Sequence, residues 1–177
     1  MQSKHDTEKA FKDLPPGQPF RFYHRAESAI AIKAGFPAGD QGALVLTPTK
    51  AGLQPGNILS AFDVGLRVVE LQDVEIVPRT RPESVTPGTG HFAMSGEIEL
   101  HGDSLNFVTT PQGGTLLRVD VKSGTIGRAT GEPPTEIYSE WSIVRAKADR
   151  TETLYEHMPL PADDSGSIVV TLEGERL

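Results

Sequence analysis

Cysteine is absent from this chain of 177 residues. That excludes disulfide staples, a thiol nucleophile and any zinc or iron–sulfur site built on thiolates, and it fits a reducing compartment. Basic residues are few and scattered: Lys and Arg number 17 against 24 Asp and Glu, and the net charge is -7. Phosphate backbones need a concentrated positive face, so nucleic acid is not an expected partner. No stretch approaches the roughly 20 apolar residues of a membrane span. The N-terminal region also lacks the apolar core of a signal peptide. The expected location is the cytoplasm, with no membrane partner.

Familiar catalytic signatures are missing too. There is no G-x-S-x-G elbow, no G-x-x-x-x-G-K-[ST] loop and no H-E-x-x-H helix. Gly88-Thr89-Gly90 is a G-x-G, but it lies in a loop before a strand. A dinucleotide site needs strand, glycine turn and helix in that order, so these glycines read as turn residues.

What the chain does have is turns, with Gly 18 and Pro 14, between short apolar runs. "PFRFYH" and the ambiguous "ESAIAIKA" read as strands, as does "GALVL". "NILSAFDVGLRVVELQDVEIVP" is the longest β-like run, with a bend expected at Gly65. In "HFAMSGEIELHG", Phe92, Met94, Ile98 and Leu100 alternate with His91, Ser95, Glu97, Glu99 and His101. "HGDS" and "KSGT" read as hairpin turns. "EIYSEWSIVRA" alternates again, a looser acidic segment "DRTETLYEHMPLPADDSG" follows, and "SIVVTLE" reads as a last strand. Strands at hairpin spacing, with no βαβ rhythm, predict an all-β fold: a single antiparallel β-barrel of about eight strands. Closure would remove sticky edges.

The N-terminal segment stands apart. Ser3 can cap a short helix ending at Leu14, with Ala10, Phe11 and Leu14 on one side and Pro15 as its stop. Such a helix is marginal alone and must dock to persist. The expected organisation is therefore residues 1–17 as helix and hinge, a lid candidate, and residues 18–177 as the barrel.

Candidate chemistry is sparse. Glu99 and His101, two residues apart on one strand face, could give two metal ligands. His91 would lie on the order of 33 Å from His101 along a straight strand, too far to share an ion. No partner motif supplies a third ligand, so no metal is expected and a solvated outer face is the plainer reading. Asp73 and Glu75 share a strand face by the period of two. Inside an apolar barrel such carboxyls would have raised pKa values and could bind or protonate an oxygen function; on an outer face they are merely charged. The strand aromatics Phe22, Phe62, Phe92, Phe107, Tyr138 and Trp141 can fill an interior or line a pocket. Tyr138 and Trp141 fall on opposite faces by parity.

Chain length, the cysteine-free strand meander and the segment "HDTEKAFKDL" ahead of "PPG" resemble the small β-barrel spirotetronate and spirotetramate cyclases of bacterial polyketide biosynthesis, in particular the pyrroindomycin type with an N-terminal extension. Other members are shorter and lack that extension. The resemblance implies a cyclase that folds a linear polyene tetramate or tetronate and promotes an intramolecular [4+2] cycloaddition without metal or cofactor. Orientation alone can supply much of the barrier lowering for such a step, and acids near the ligand's oxygens add polarisation. On this reading Asp73 and Glu75 are the catalytic candidates. Phe11, Leu14, Phe62, Met94, Phe107, Tyr138 and Trp141 are the substrate-binding ones. The partner is a hydrophobic polyene, and a homodimer stays open. Two alternatives fit the same residues: a lipocalin-like carrier of a small apolar ligand, and an interaction domain with a filled interior.

Overall fold

The computed structural model describes residues 6–35, 39–60, 65–110, 115–128 and 132–159. Among them the fold is all-β and antiparallel, as the alternation predicts. It is three sheets rather than a closed barrel. The first comprises β1 (Thr7–Ala10), β2 (Pro19–His24), β3 (Glu27–Gly35), β4 (Gln41–Val45), β5 (Ile58–Leu59) and β6 (Arg67–Glu70), in the order β1-β6-β2-β3-β4-β5. Next along the chain come β7 (Val74–Pro78), β8 (Val85–Pro87), β9 (Ile98–His101), β10 (Ser104–Thr109), β11 (Leu117–Asp120), β12 (Ile126–Arg128), β13 (Glu136–Tyr138), β14 (Trp141–Ala146) and β15 (Thr151–His157). They form a second sheet, β12-β11-β10-β9-β13-β8, and a third, β15-β14-β7. Among the described residues each sheet keeps two edges, and the expected closure does not occur.

The reason lies in two breaks in the long β-like runs. Asp73 adopts φ 54, a left-handed conformation, between β6 and β7. That turn sends β7 to the third sheet instead of continuing the first. Ser139-Glu140 breaks the other run, so Tyr138 and Trp141 belong to different sheets. Parity does not carry across that break, and both rings enter the same core.

That core lies between the sheets. Ile30, Ile32 and Leu44 of the first sheet pack with Ile98, Phe107 and Val119 of the second and Trp141 and Ile143 of the third. Phe107 meets Trp141 edge-on at 5.2 Å, and the indole Nε1 donates to the Gly96 carbonyl at 2.9 Å. His157 stacks on the outer side of Trp141 at 4.9 Å.

β3 is buried on both faces, which explains why "AIAIKA" lacks a polar side. Its odd residues, Ala29 and Ala31, join a second cluster with Phe20, Phe22, Phe11 and Leu14. The expected N-terminal helix is replaced here. Residues 7–10 pair with β6, and a single 3-10 turn, Phe11–Asp13, follows. A strand edge offers backbone partners that a marginal isolated helix lacks. Diagonal ion pairs, Lys9–Glu70 and Glu8–Arg67, each at 2.7 Å, hold the register. Phe11 and Leu14 are then core residues, and the segment pairs into the sheet and covers its second face. Ser3 and the strand expected at "SIVVTLE" lie outside the described residues. "TETLYEH", expected to be looser, is strand β15.

Lys33 shares the face of Ala29 and Ala31 and is 1% exposed. Its ammonium donates to the carbonyls of Lys12 and Leu14 and lies 5.1 Å from the Phe11 ring. Burial lowers its pKa, with the Asp13 charge partly offsetting that. Lys33→Met keeps the length and loses the donors. We expect it to lower unfolding free energy by about 2–3 kcal/mol in urea titration, with amide protection lost first in residues 7–14. Unchanged stability would show that the amine contributes nothing.

A pH dependence follows from His157. Burial lowers its pKa below the ordinary 6.5. Between the folded value and 6.5 the unfolded chain binds the extra proton, so stability rises with pH through that window and falls on acidification. His157→Asn should flatten the fall of the urea midpoint on acidification below the ordinary 6.5 relative to the parent chain. Parallel curves for the two proteins would refute it.

Candidate functional site

A cleft of about 300 Å³ opens on the outer face of the second sheet, lined by Glu99 and Arg118 together with Gly88, Gly90, His91, Phe92, Leu116, Glu132, Pro133 and Pro134. Its floor is set by strand register. Glu99 on β9 stands opposite Asn106 of β10 on one side and Ile137 of β13 on the other. Arg118 on β11 stands opposite Val108. Two strand spacings, roughly 10 Å, separate β9 from β11. The long arginine side chain crosses β10 to close that gap, and its Nε donates to Glu99 Oε2. His101 Nε2 reaches the same oxygen at 3.1 Å, which places the ring proton on that nitrogen. Among the described residues no hydrogen bond ends on Oε1.

Glu99 is 1% exposed, so the solvated outer face expected from sequence is not what forms here. A carboxylate this far from water needs a paired charge, and Arg118 supplies it. Glu97, on the same face two residues earlier, has its pKa raised by burial. The Met94 N–H bonded to it lowers that pKa in part, and the Glu99 charge adds to the rise. No group of three or more His, Asp or Glu suited to a metal ion occurs among the described residues.

The walls come from two loops. Only Ile98–His101 of the expected "HFAMSGEIELH" strand is strand. The part before it is a loop folded back over the sheet, with Ala93 packed on Val108 and Ile137 and against Leu116. The Gly88 N–H bonds the Thr135 carbonyl at 3.1 Å, and the Gly96 N–H bonds that of Val108 at 3.0 Å, which pins both ends. A Cβ on Gly88 would lie 1.7 Å from the Pro134 oxygen, so only glycine lets the two loops touch. Phe92 and Met94, expected to share one strand face with Ile98, are instead parted from that buried residue and are 89% and 70% exposed. The Phe92 ring forms one lip of the cleft.

The other sequence candidates lie elsewhere. Asp73, in its left-handed turn, and Glu75, on β7, are both exposed and do not line the cleft. Phe11, Leu14, Phe107, Tyr138 and Trp141 are buried in the two cores. The Tyr138 hydroxyl donates to Glu136 and is pushed up to about 12 by burial and then by that carboxylate. Phe62 lies outside the described residues. The Glu99–His101 pair was visible as an i, i+2 spacing, but Arg118 was missed, since only the β9-β10-β11 register brings it near.

Comparison with protein families, curated proteins and solved structures finds no match to this chain.

Removing one partner of the floor pair strands the other. Arg118→Met is expected to cost about 3–5 kcal/mol in urea titration. The double variant Glu99→Gln with Arg118→Met should cost clearly less than the sum of the single changes. Strict additivity would argue against a coupled pair.

Proposed function

We propose that the chain binds a small amphipathic organic molecule in this cleft. One observation carries the reading: an almost fully buried carboxylate, braced by Arg118 and His101, forms the floor beneath an exposed aromatic lip. Ligand sites characteristically join apolar walls to a few fixed polar groups, and about 300 Å³ falls at the small end of their range. Phe92, Leu116, Pro133 and Pro134 supply the walls, and Glu99 and Arg118 orient the polar end.

A second reading keeps the ring closure implied by the resemblance. Its support is the guanidinium at the foot of an apolar wall, where it could polarise an acidic oxygen of a tetramate while the polyene lies against Phe92 and Leu116. The cycloaddition is an isomerisation, so no atom or electron is exchanged with the protein. Incubation with a linear polyene tetramate separates the readings. A product of equal mass and new retention time supports the cyclase, whereas bound but unchanged substrate supports the carrier.

The binding reading is tested with 2-naphthylmethanol, a neutral ring with one hydroxyl, by amide NMR. Saturable shifts are expected at Gly88, Gly90, Leu116 and Arg118, with Kd on the order of 1 mM. Phe92→Ala should weaken binding about tenfold with no change in melting temperature, because the ring is already in solvent. Shifts confined to other surfaces, or none for the parent protein, would sink the proposal.

A further inference from the structure

Resting on that binding reading, we infer that the cleft takes a nitrogen cation with N–H donors, an ammonium or amidinium on a ring-sized apolar body, in preference to an anion. The argument begins with which atoms are already engaged. Glu99 Oε2 takes bonds from both Arg118 and His101, while among the described residues Oε1 takes none. A carboxylate has acceptor sites on each oxygen, so Oε1 is the position at the floor that can take a donor from a ligand. Arg118 cannot act as an uncompensated anion receptor, because its charge is matched at contact distance by Glu99.

The remaining charges point the same way. Glu132 stands on the rim and lines the cleft, Glu97 lies two residues before Glu99, and among the described residues the basic side chains lining the cleft are Arg118 and His91. Among the described lining residues the carboxylates Glu99 and Glu132 stand against the one guanidinium of Arg118, on a chain whose net charge is -7. The burial that raises the Glu97 pKa, with the Glu99 charge adding to it, marks a region where further negative charge is unfavourable. The lip is suited to a cation as well. A phenyl face attracts a cation within about 6 Å of its centre, and Phe92 is exposed at the opening. Pro133 and Pro134 form the facing wall for the apolar body.

Benzamidine and benzoate are matched probes: one ring, with an amidinium or a carboxylate. Amide NMR titration of the intact chain should give shifts at Gly88, Gly90, Leu116 and Arg118 with benzamidine. Its affinity should exceed that of benzoate by at least about tenfold. Glu99→Gln should abolish that preference. Because this change touches a buried pair, Glu132→Gln at the exposed rim is the second variant, expected to weaken benzamidine about twofold with unaltered Trp141 fluorescence. Equal or tighter binding of benzoate overturns the inference, leaves the binding reading in place and favours the tetramate. So does binding of 2-naphthylmethanol with no response to benzamidine. If none of the three probes shifts these amides, the binding reading itself fails.

Discussion

The fold turns on one crowded point where the first sheet, the N-terminal segment and the second sheet meet. Lys33 holds the turn after β1 from below through its ammonium. Its carbonyl accepts the Gly17 N–H at 2.8 Å, and its N–H donates to Gln18 at 3.1 Å. Gly17 lies directly on the β11–β12 turn: a Cβ there would come within 2.1 Å of the Lys122 oxygen. Gly124, in that turn, is as close to Gly17 and to the Lys33 carbonyl, at 2.3 Å from each on the same test. Both glycines have positive φ, 81 and 67, which other residues adopt at a cost. Gly35 then donates to the Gly124 carbonyl at 2.9 Å and carries the connection across to the second sheet. The Pro15-Pro16-Gly17 stretch, which reads as a hinge, is therefore a clamp. Pro restricts φ there, and its glycine leaves no space for a Cβ.

That clamp bears on the cleft through β11. The hairpin it fixes carries Arg118 on its first strand, and the register of β11 against β10 decides whether the guanidinium reaches Glu99. A shift of one residue would turn Arg118 into the core and Val119 outward. Val119 is fully buried against the main cluster, so the apolar demand of the core sets the position of the polar pair on the opposite face. The site is thus a consequence of core packing together with two glycine contacts, at Gly88 and Gly124. No strand is dedicated to it.

Much of the β character was legible because it rests on local alternation and turn chemistry. The hairpin turns at Gly102 and Gly124 follow directly from "HGDS" and "KSGT". The N-terminal helix was misread for a physical reason. Ala10, Phe11 and Leu14 satisfy a helical spacing, but the same three residues also suit a strand that runs into a tight turn. The choice is made by a partner, β6, sixty residues away in sequence. Barrel closure failed on Asp73 and Ser139-Glu140, ordinary polar residues whose effect is to break a run and redirect it. The His91–His101 alternation was half right. It identified the face shared by Glu97, Glu99 and His101, but extended the strand through residues that fold back as a wall. Nothing local distinguishes those two outcomes, because Phe92 and Met94 obey the period while lying in solvent.

The position of the polar pair also bears on what kind of protein this is. As a stability device a buried ion pair is weak, since apolar residues of similar volume often serve as well or better. Here the pair occupies the outer face, beside an apolar patch of Val108, Ile137 and Ala93 that could have been extended over the same ground. The loop bearing Ala93 stops short of Glu99, and the space between that loop and Pro133-Pro134 is the cleft. A sheet face that is half roofed by apolar packing and half left open over a paired carboxylate spends stability at one location. Clefts of this kind, with fixed charges and a solvent-facing aromatic, suit recognition of a ligand from solution.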